Sequence, residues 1–142
     1  MSDKFFIDTN IFVYTFESAE HAKRQKANEL IKSAFKNKNG CISSQVVQEF
    51  MNVATRKFAV PLSTTDCEKY LKLILSPLCQ VFVSIELYSR ALDVLERWRF
   101  SFYDSLIVAA ALQADCRYLY SEDLQHNQKI ESMTVINPFH EL

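Results

Sequence analysis

The sequence predicts an α/β fold in which helices cover both faces of a mainly parallel sheet, giving three α/β/α layers. Two observations lead to this prediction. Short apolar runs that stop abruptly at polar residues alternate along the chain with longer segments of helical periodicity. The first of these runs, Phe5–Ile7, is also apolar throughout, which is typical of a strand buried on both faces of a parallel sheet. We expect residues 1–142 to form one domain of ordinary size.

The first predicted strand is the apolar run Phe5–Ile7, which ends at Asp8. Later runs of the same kind predict four more strands, of which the last is expected to lie at an edge of the sheet. They are Cys41–Ser43, Val81–Val83, Tyr118–Tyr120 and Met133–Ile136. Because strands and helices alternate, we expect the segment between the second and third strands to be entirely helical.

Six segments are predicted to be helices from their apolar periodicity and from the polar residues that precede them. The turn 37–40 is expected to stop the second helix, and Pro77 the fourth. The segment 104–114 is apolar nearly all round, which predicts a buried helix. The helices are expected at 10–16, about 21–35, 44 to about 58, 63 to Pro77, from Ser84 onwards, and 104–114.

Composition excludes several kinds of site. The single glycine, Gly40, rules out the glycine-rich loops that cradle phosphates. The four cysteines and three histidines lack the spacing of a zinc cluster, so the cysteines are expected to be reduced and mostly buried. A net charge of −1 gives no overall attraction to nucleic acid. No segment has the length and apolarity of a membrane span, and none resembles an export signal, so we expect a cytoplasmic protein.

Four acidic residues fall where the predicted elements begin or end. Asp8 follows the first strand, Asp123 follows the fourth, and Asp104 opens the buried helix. Glu49 lies beside the apolar stripe of the third helix, one turn from its start. Because the carboxyl ends of parallel strands share one edge of the sheet, these acids could converge there.

Convergence of carboxylates is unfavourable unless a cation accompanies them, since like charges oppose joint ionisation. Mg²⁺ is suited to such a site, because it binds carboxylates, waters and phosphate oxygens. Each acid also has a structural interpretation: a helix cap for Asp8, a helix-start charge for Asp104, a surface acid for Glu49 and a polar turn for Asp123. The residues alone leave both interpretations open.

At these residues the sequence resembles the PIN domain family, and within it the VapC-type toxins of toxin–antitoxin pairs. The segment Phe6–Asn10 is similar to the first family motif, a hydrophobic pair followed by Asp, Thr or Ser, and Asn or Ser. The segment Tyr103–Ala111 is similar to the third motif and is the most specific match. Glu49 resembles the second acid, Leu119–Leu124 the fourth motif, and Val135–Phe139 the family's closing segment.

The resemblance implies an endoribonuclease dependent on Mg²⁺ or Mn²⁺ that leaves 5′-phosphate and 3′-hydroxyl ends. It implies that Asp8, Glu49, Asp104 and Asp123 coordinate the metal, directly or through water. Glu122 is an alternative fourth acid, although the two-residue offset between Ser121 and Asp123 favours Asp123. The resemblance further implies a homodimer and an antitoxin partner whose tail enters the acidic groove. Supporting hydrogen bonds are expected from Thr9, Asn10 and Ser121.

RNA binding would need cations and exposed rings outside the acidic cluster. Basic residues on and after the second and third helices could contact phosphates, although for most of them a solvated helix face is expected. Three aromatic residues could stack on bases, although core packing is expected for them. The basic residues are Lys23, Lys26, Lys32, Lys36, Lys38, Arg56 and Lys57, and the aromatic residues are Phe100, Phe102 and Tyr103.

Three other functions remain to be weighed. A phosphoacceptor signalling domain would place paired acids before the end of an early strand and a Lys after the last one, and neither is apparent. A haloacid-type phosphatase would place a second Asp two residues after Asp8, where Asn10 stands. A PIN-like module that binds RNA or a partner without cleaving is the main alternative, and four intact acids argue against it.

Overall fold

The structure is a computed structural model that describes residues 3–17 and 19–142. The strands are β1 (Phe5–Ile7), β2 (Gly40–Ser43), β3 (Cys79–Val81), β4 (Tyr118–Tyr120), β5 (Lys129–Ile130) and β6 (Met133–Ile136). The helices are α1 (Thr9–Glu17), α2 (His21–Asn37), α3 (Ser44–Arg56), α4 (Thr64–Tyr70), α5 (Ser76–Leu78), α6 (Ile85–Trp98) and α7 (Phe102–Gln113). A π-helical turn, Leu71–Leu75, joins α4 to α5.

The sheet confirms the predicted fold class. Its order is β3-β2-β1-β4-β6-β5, and every neighbouring pair is parallel except β5 and β6. The chain moves outward from β1 through β2 to β3, then returns past β1 to β4. Crossovers of the usual right hand put α1–α5 on one face and α6 and α7 on the other, and the helices pack in keeping with this, α1 against α2 and α3 and α6 against α7. The direction of travel changes beside β1, and a crevice forms at such a point outside the strand ends.

Two strand predictions were wrong at the edges of the sheet. The third strand is Cys79–Val81 instead of 81–83, and Phe82 and Val83 are 64% and 42% exposed. The chain leaves the sheet there because the Val83 N–H donates to the Ser44 hydroxyl instead of to a strand. Strand β6 is not at the edge, because the two-residue strand β5 pairs with it. A strand that short carries no alternation that a sequence pattern could reveal.

The helix predictions hold except at several ends. Lys38, in a left-handed conformation at φ 54°, ends α2, while Gly40 begins β2. Ser44 is the first residue of α3 and not its cap. Pro77 lies inside the first turn of α5, where a missing N–H is tolerated, so it does not end the helical segment. The segment between β2 and β3 is helical as expected apart from its loop 57–63.

Helix α7 begins at Phe102, two residues before the predicted start, because the Ser101 hydroxyl accepts from the Asp104 N–H at 3.1 Å. Its residues 105–112 are all buried, as predicted. The cysteines are free thiols, and three of the four are buried. None of the helices in the described part of the chain combines the length and apolarity needed to cross a bilayer.

The single glycine is required by close packing between α2 and β2. A Cβ atom at Gly40 would lie 2.3 Å from the Ala34 Cβ and 3.1 Å from a ring carbon of Phe5. Real Cβ atoms do not approach each other as closely as 2.3 Å, and the Ala34 Cβ cannot move without shifting α2. Gly40 therefore allows α2 to rest directly on the strand next to β1.

We expect Gly40→Ala to lower the free energy of unfolding by about 1–3 kcal/mol, the range usual for overpacked cores. Chemical denaturation would measure this change. Ala34→Gly alone should cost about 1 kcal/mol through helix propensity. In the Gly40→Ala background it should instead restore stability, since it removes the clashing methyl group. Additive losses in the double variant would contradict the packing explanation.

Candidate functional site

A cleft of about 290 Å³ opens at the carboxyl end of β1, between α3 and α7. All four predicted acids line it, together with Thr9 and Asn10 from the start of α1. Acids from four remote parts of the sequence are therefore brought to one place. The full lining is Asp8, Thr9, Asn10, Gln45, Glu49, Asn52, Val53, Lys57, Tyr103, Asp104, Ile107 and Asp123.

Asp8 is the most buried acid of the cleft, with 6% of its surface exposed. Its backbone N–H donates to Tyr120, which extends the pairing of β1 with β4 and fixes the residue at the strand end. One carboxylate oxygen accepts from the Thr9 N–H at 2.7 Å, and the other accepts from the Ser121 hydroxyl at 2.8 Å. Ser121 is itself fully buried, so it holds Asp8 in one orientation.

Glu49 is held by two neighbours on opposite sides of its carboxylate. The Thr9 hydroxyl donates to Oε1 at 2.6 Å, and the Gln45 amide donates to Oε2 at 3.2 Å. Gln45 is one turn earlier on α3, so the two side chains lie on the same helix face. Thr9 therefore contacts two acids, since its N–H binds Asp8 and its hydroxyl binds Glu49.

Asp123 and not Glu122 faces the cleft. The Asp123 N–H donates to the Ser121 hydroxyl at 3.2 Å, which orients the turn after β4. Glu122 points away from the cleft, accepts from the Tyr14 hydroxyl and pairs with the Lys23 ammonium at 3.3 Å. The two neighbouring acids thus have different surroundings, and Glu122 already has a cation as its partner.

Burial and the neighbouring carboxylates raise the pKa values of two acids in the cleft, Asp8 and Asp123. Burial raises the pKa of Asp8 from its ordinary 3.8 to about 7; the Ser121 and Thr9 hydrogen bonds oppose this shift, while the charges of Asp123 and Glu49 add to it. Burial against the cleft wall raises the pKa of Asp123 as well, with further contributions from Asp104, Glu122 and Glu49. Such shifts indicate a site in which negative charge lacks compensation.

The donors in the cleft suit a hard divalent cation. Every acid contributes oxygen ligands, and oxygen is the ligand that Mg²⁺ and Mn²⁺ prefer. Among residues 3–17 and 19–142, no three His, Cys, Asp or Glu side chains stand close enough to hold one ion directly. Since Mg²⁺ usually takes one or two carboxylates and keeps several waters, the cleft fits water-mediated coordination. Metal binding by these residues stays a prediction.

Sequence reasoning missed part of the cleft wall. Gln45 and Asn52 share the helix face of Glu49, four residues before it and three after it, a spacing that would have identified both. Tyr103 was expected to pack in the core, but it lines the cleft and is 66% exposed. The expectation of core packing is confirmed for Phe100 and Phe102, which pack against the buried cluster.

Two of the predicted basic residues, Lys23 and Lys57, have different surroundings. Lys23 pairs with Glu20 at 3.5 Å and with Glu122, so its ammonium is already paired with carboxylates beside α2. Lys57, directly after α3, is the basic residue that lines the cleft. The pattern of charges along the sequence could not distinguish these two roles.

The sequence profile of the PIN domain family matches residues 5–130, so the chain belongs to this family. No curated protein matches the sequence. The fold also recurs in solved structures of toxins from toxin–antitoxin systems, which are similar to this chain in fold at low sequence identity.

Three such structures illustrate the similarity. A toxin–antitoxin complex from Klebsiella pneumoniae aligns with a TM-score of 0.67 at 18% identity, over 95% of this chain and 98% of that one. VapC20 of Mycobacterium tuberculosis, a sarcin–ricin loop cleaving toxin, aligns at 0.60 and 18% identity, over 83% and 88%. DNA-bound VapBC from Salmonella typhimurium aligns at 0.63 and 18% identity, over 95% and 97%.

The raised pKa of Asp8 predicts how stability depends on pH without divalent metal. The unfolded residue ionises near 3.8 and the folded one near 7, so between these values unfolding releases a proton. Its contribution to stability is complete below 3.8 and is lost as the pH rises through about 7. Asp8→Asn removes this dependence, so its stability relative to wild type should rise by about 1.4 kcal/mol per pH unit across that window.

Urea denaturation at several pH values in EDTA, for both proteins, would measure this difference. Asp93→Asn on the exposed side of α6 is the matched control and should show no such trend. A constant stability difference between Asp8→Asn and wild type from pH 4 to pH 7 would contradict the assigned protonation of Asp8.

Proposed function

We propose that the protein is an endoribonuclease that depends on Mg²⁺ or Mn²⁺ and hydrolyses RNA phosphodiester bonds. The observation that carries the proposal is the convergence of Asp8, Glu49, Asp104 and Asp123 in one cleft. Membership of the PIN domain family supports it, as does the similarity in fold to a toxin that cleaves the sarcin–ricin loop.

The four acids would hold the metal, and the neighbouring polar groups would keep them in place. Thr9 and Ser121 orient Asp8, and Thr9 and Gln45 orient Glu49, so these carboxylates need little rearrangement. Asp104 and Asp123 take no side-chain hydrogen bond from the described residues, which leaves them free to turn toward a cation or its waters. Asn10 lines the same wall and can donate to a water or a phosphate oxygen.

When bound, the cation would neutralise charge on the substrate phosphate and lower the pKa of a water. In the hydrolysis, the water oxygen forms a bond to phosphorus, the bond to the 3′-oxygen breaks, and the 3′-oxygen takes up a proton. The products carry 5′-phosphate and 3′-hydroxyl ends. The walls from α3 and α7 would hold the phosphate over the acids.

We further propose that the protein is the toxin of a toxin–antitoxin pair and acts in the cytoplasm as a homodimer. The solved structures of similar fold support this, since they include toxin–antitoxin complexes. An antitoxin would silence the site by placing a cationic side chain, such as Arg, among the carboxylates. The cleft is suited to such a contact because its acids lack compensating charge.

The first test is cleavage of structured RNA by purified protein freed of any partner. Wild type with Mn²⁺ or Mg²⁺ should cut, and EDTA should abolish cleavage. Asp8→Asn should lose more than the 10- to 100-fold typical of outer-shell changes, because it removes a metal ligand. End-labelled products analysed on sequencing gels would report both the rate and the chemistry of the ends.

Asp93→Asn serves as the control and should cut at the wild-type rate. Mn²⁺ should also raise the melting temperature of wild type by linkage, a readout that needs no RNA. If wild type does not cut, or if Asp8→Asn cuts equally well, the nuclease proposal fails. Binding of RNA without cleavage in either metal would instead support the non-catalytic module.

The second test separates the two acids after β4. Glu122→Gln should keep cleavage within about threefold of wild type, since Glu122 faces Tyr14 and Lys23 and not the cleft. Asp123→Asn should lose at least the 10- to 100-fold of an outer-shell change, because its carboxylate lies on the cleft wall. Single-turnover rates of the two variants would measure the difference. Loss of activity in Glu122→Gln alone would reverse the assignment.

A further inference from the structure

Two buried thiols from remote parts of the sequence, Cys41 and Cys116, contact each other. Their Sγ atoms lie 3.4 Å apart, although 75 positions separate the residues, and their exposed fractions are 0% and 3%. Cys41 lies on β2 opposite Phe6 of β1. Cys116 lies in the turn between α7 and β4. The contact therefore joins elements that flank the central strand β1 on both sides.

The backbone around both sulfur atoms is fixed. The Cys116 N–H donates to the Ala111 carbonyl at 3.1 Å, in the last turn of α7, and the Arg117 N–H donates to the Lys4 carbonyl at 2.8 Å. Cys41 is held by the pairing of β2 with β1. A disulfide needs its sulfur atoms about 2.05 Å apart, so these two must approach each other by about 1.4 Å. Rotation of the two side chains can supply a movement of that size without a change of fold.

The contact makes the two thiols chemically different. With the Cys116 S–H as the donor, the hydrogen bond between the sulfurs lowers the pKa of Cys41; burial opposes this shift, and the charge of Lys4 adds to it. The same hydrogen bond raises the pKa of Cys116, and burial adds to that shift. Because the thiolate is the nucleophile in thiol oxidation, Cys41 is the thiol that reacts first.

We propose that Cys41 and Cys116 form an oxidation site for hydrogen peroxide, at which the two thiols become a disulfide that stabilises the folded chain. The Cys41 thiolate attacks one peroxide oxygen: an S–O bond forms, the O–O bond breaks, and hydroxide leaves with the proton that Cys41 released. The Cys116 sulfur then attacks the sulfur of the resulting sulfenic acid: the S–S bond forms, the S–O bond breaks, and the departing hydroxide takes the Cys116 proton. Two thiols lose two electrons in all, and one peroxide is reduced to two waters.

Burial selects the oxidant. Hydrogen peroxide is neutral and close to water in size, so local openings of the folded chain admit it. A bulky disulfide such as oxidised glutathione must attach a whole tripeptide to the sulfur that it oxidises, and neither buried thiol has room for it. The adjacent Cys116 also protects Cys41, because it consumes the sulfenic acid before a second peroxide converts it to sulfinic acid.

The new bond closes a long loop. The segment from Cys41 to Cys116 contains α3 to α7, and therefore both walls of the acidic cleft. Closing such a loop restricts the unfolded chain and so stabilises the folded one, by an amount that grows with loop length. Cys116 precedes β4, at the end of the sheet opposite the cleft, so the bond stabilises the chain without contacting the acids.

The test treats native wild-type protein with hydrogen peroxide or with oxidised glutathione. The intact mass is measured, the remaining thiols are alkylated in denaturant, and peptide maps made without reductant locate the linked residues. Peroxide should join Cys41 to Cys116 and lower the mass by about 2 Da, because two hydrogens leave, and dithiothreitol should reverse the change. Oxidised glutathione should leave both thiols unmodified. The linked protein should melt about 10 °C above the reduced one, as closing a loop of this length predicts.

Cys67→Ala is the matched control, because Cys67 is buried on α4 outside the contact, and this variant should form the same bond. Cys116→Ala should show no rise in melting temperature with peroxide and should retain oxygen on Cys41, where dimedone would trap it. A bond between Cys41 and Cys79, no bond in the folded protein, equal reaction with oxidised glutathione, or a disulfide without a rise in melting temperature would each overturn the proposal. The peptide map of wild type decides the pairing even where Cys116→Ala does not fold, and none of these readouts depends on nuclease activity.

Discussion

A buried carboxylate at the end of β1 is the constraint on which the site depends. Asp8 lies where the sheet changes its direction of travel, almost out of contact with water. Burying a charge there is costly unless donors or a cation compensate it. Two donors, the Thr9 N–H and the Ser121 hydroxyl, are supplied by the residues that follow β1 and β4. They lower the cost without removing it, which leaves the pKa of Asp8 raised to about 7.

The same arrangement links stability to function. Three further acids line the cleft around Asp8, so the folded chain without a cation holds like charges close together. A protein selected for stability alone would have apolar or oppositely charged groups here. The hydrogen bonds from Thr9 and Gln45 orient Glu49 instead of neutralising it. The structure thus keeps a reserve of negative charge, which is what a divalent cation requires.

The sheet could be predicted from the sequence because its strands β1 and β2 are buried on both faces and β4 is at least half-buried. Phe5–Ile7 and Tyr118–Tyr120 are apolar or aromatic runs with polar ends, and the structure has strands with those bounds. Prediction failed where burial is incomplete. At the edge strand β3 the apolar residues Phe82 and Val83 continue past the last hydrogen bond into solvent. Strand β5 was not predicted because two residues are too few to show the alternation of apolar and polar side chains that marks a strand.

The sequence by itself determined that acids stand at strand ends and helix starts expected to share one edge of the sheet, because those boundaries are encoded locally, and the four predicted acids do line the cleft. Only the tertiary structure decided which way neighbouring side chains face. Glu122 meets Tyr14 and Lys23, whereas Asp123 meets the cleft, and these contacts join residues about a hundred positions apart. The exposure of Tyr103 likewise depends on where α3 stands across the cleft. The apolar periodicity of a sequence describes the faces of one helix at a time. The cleft is lined by two helices, α3 and α7, so its shape follows only from how they pack.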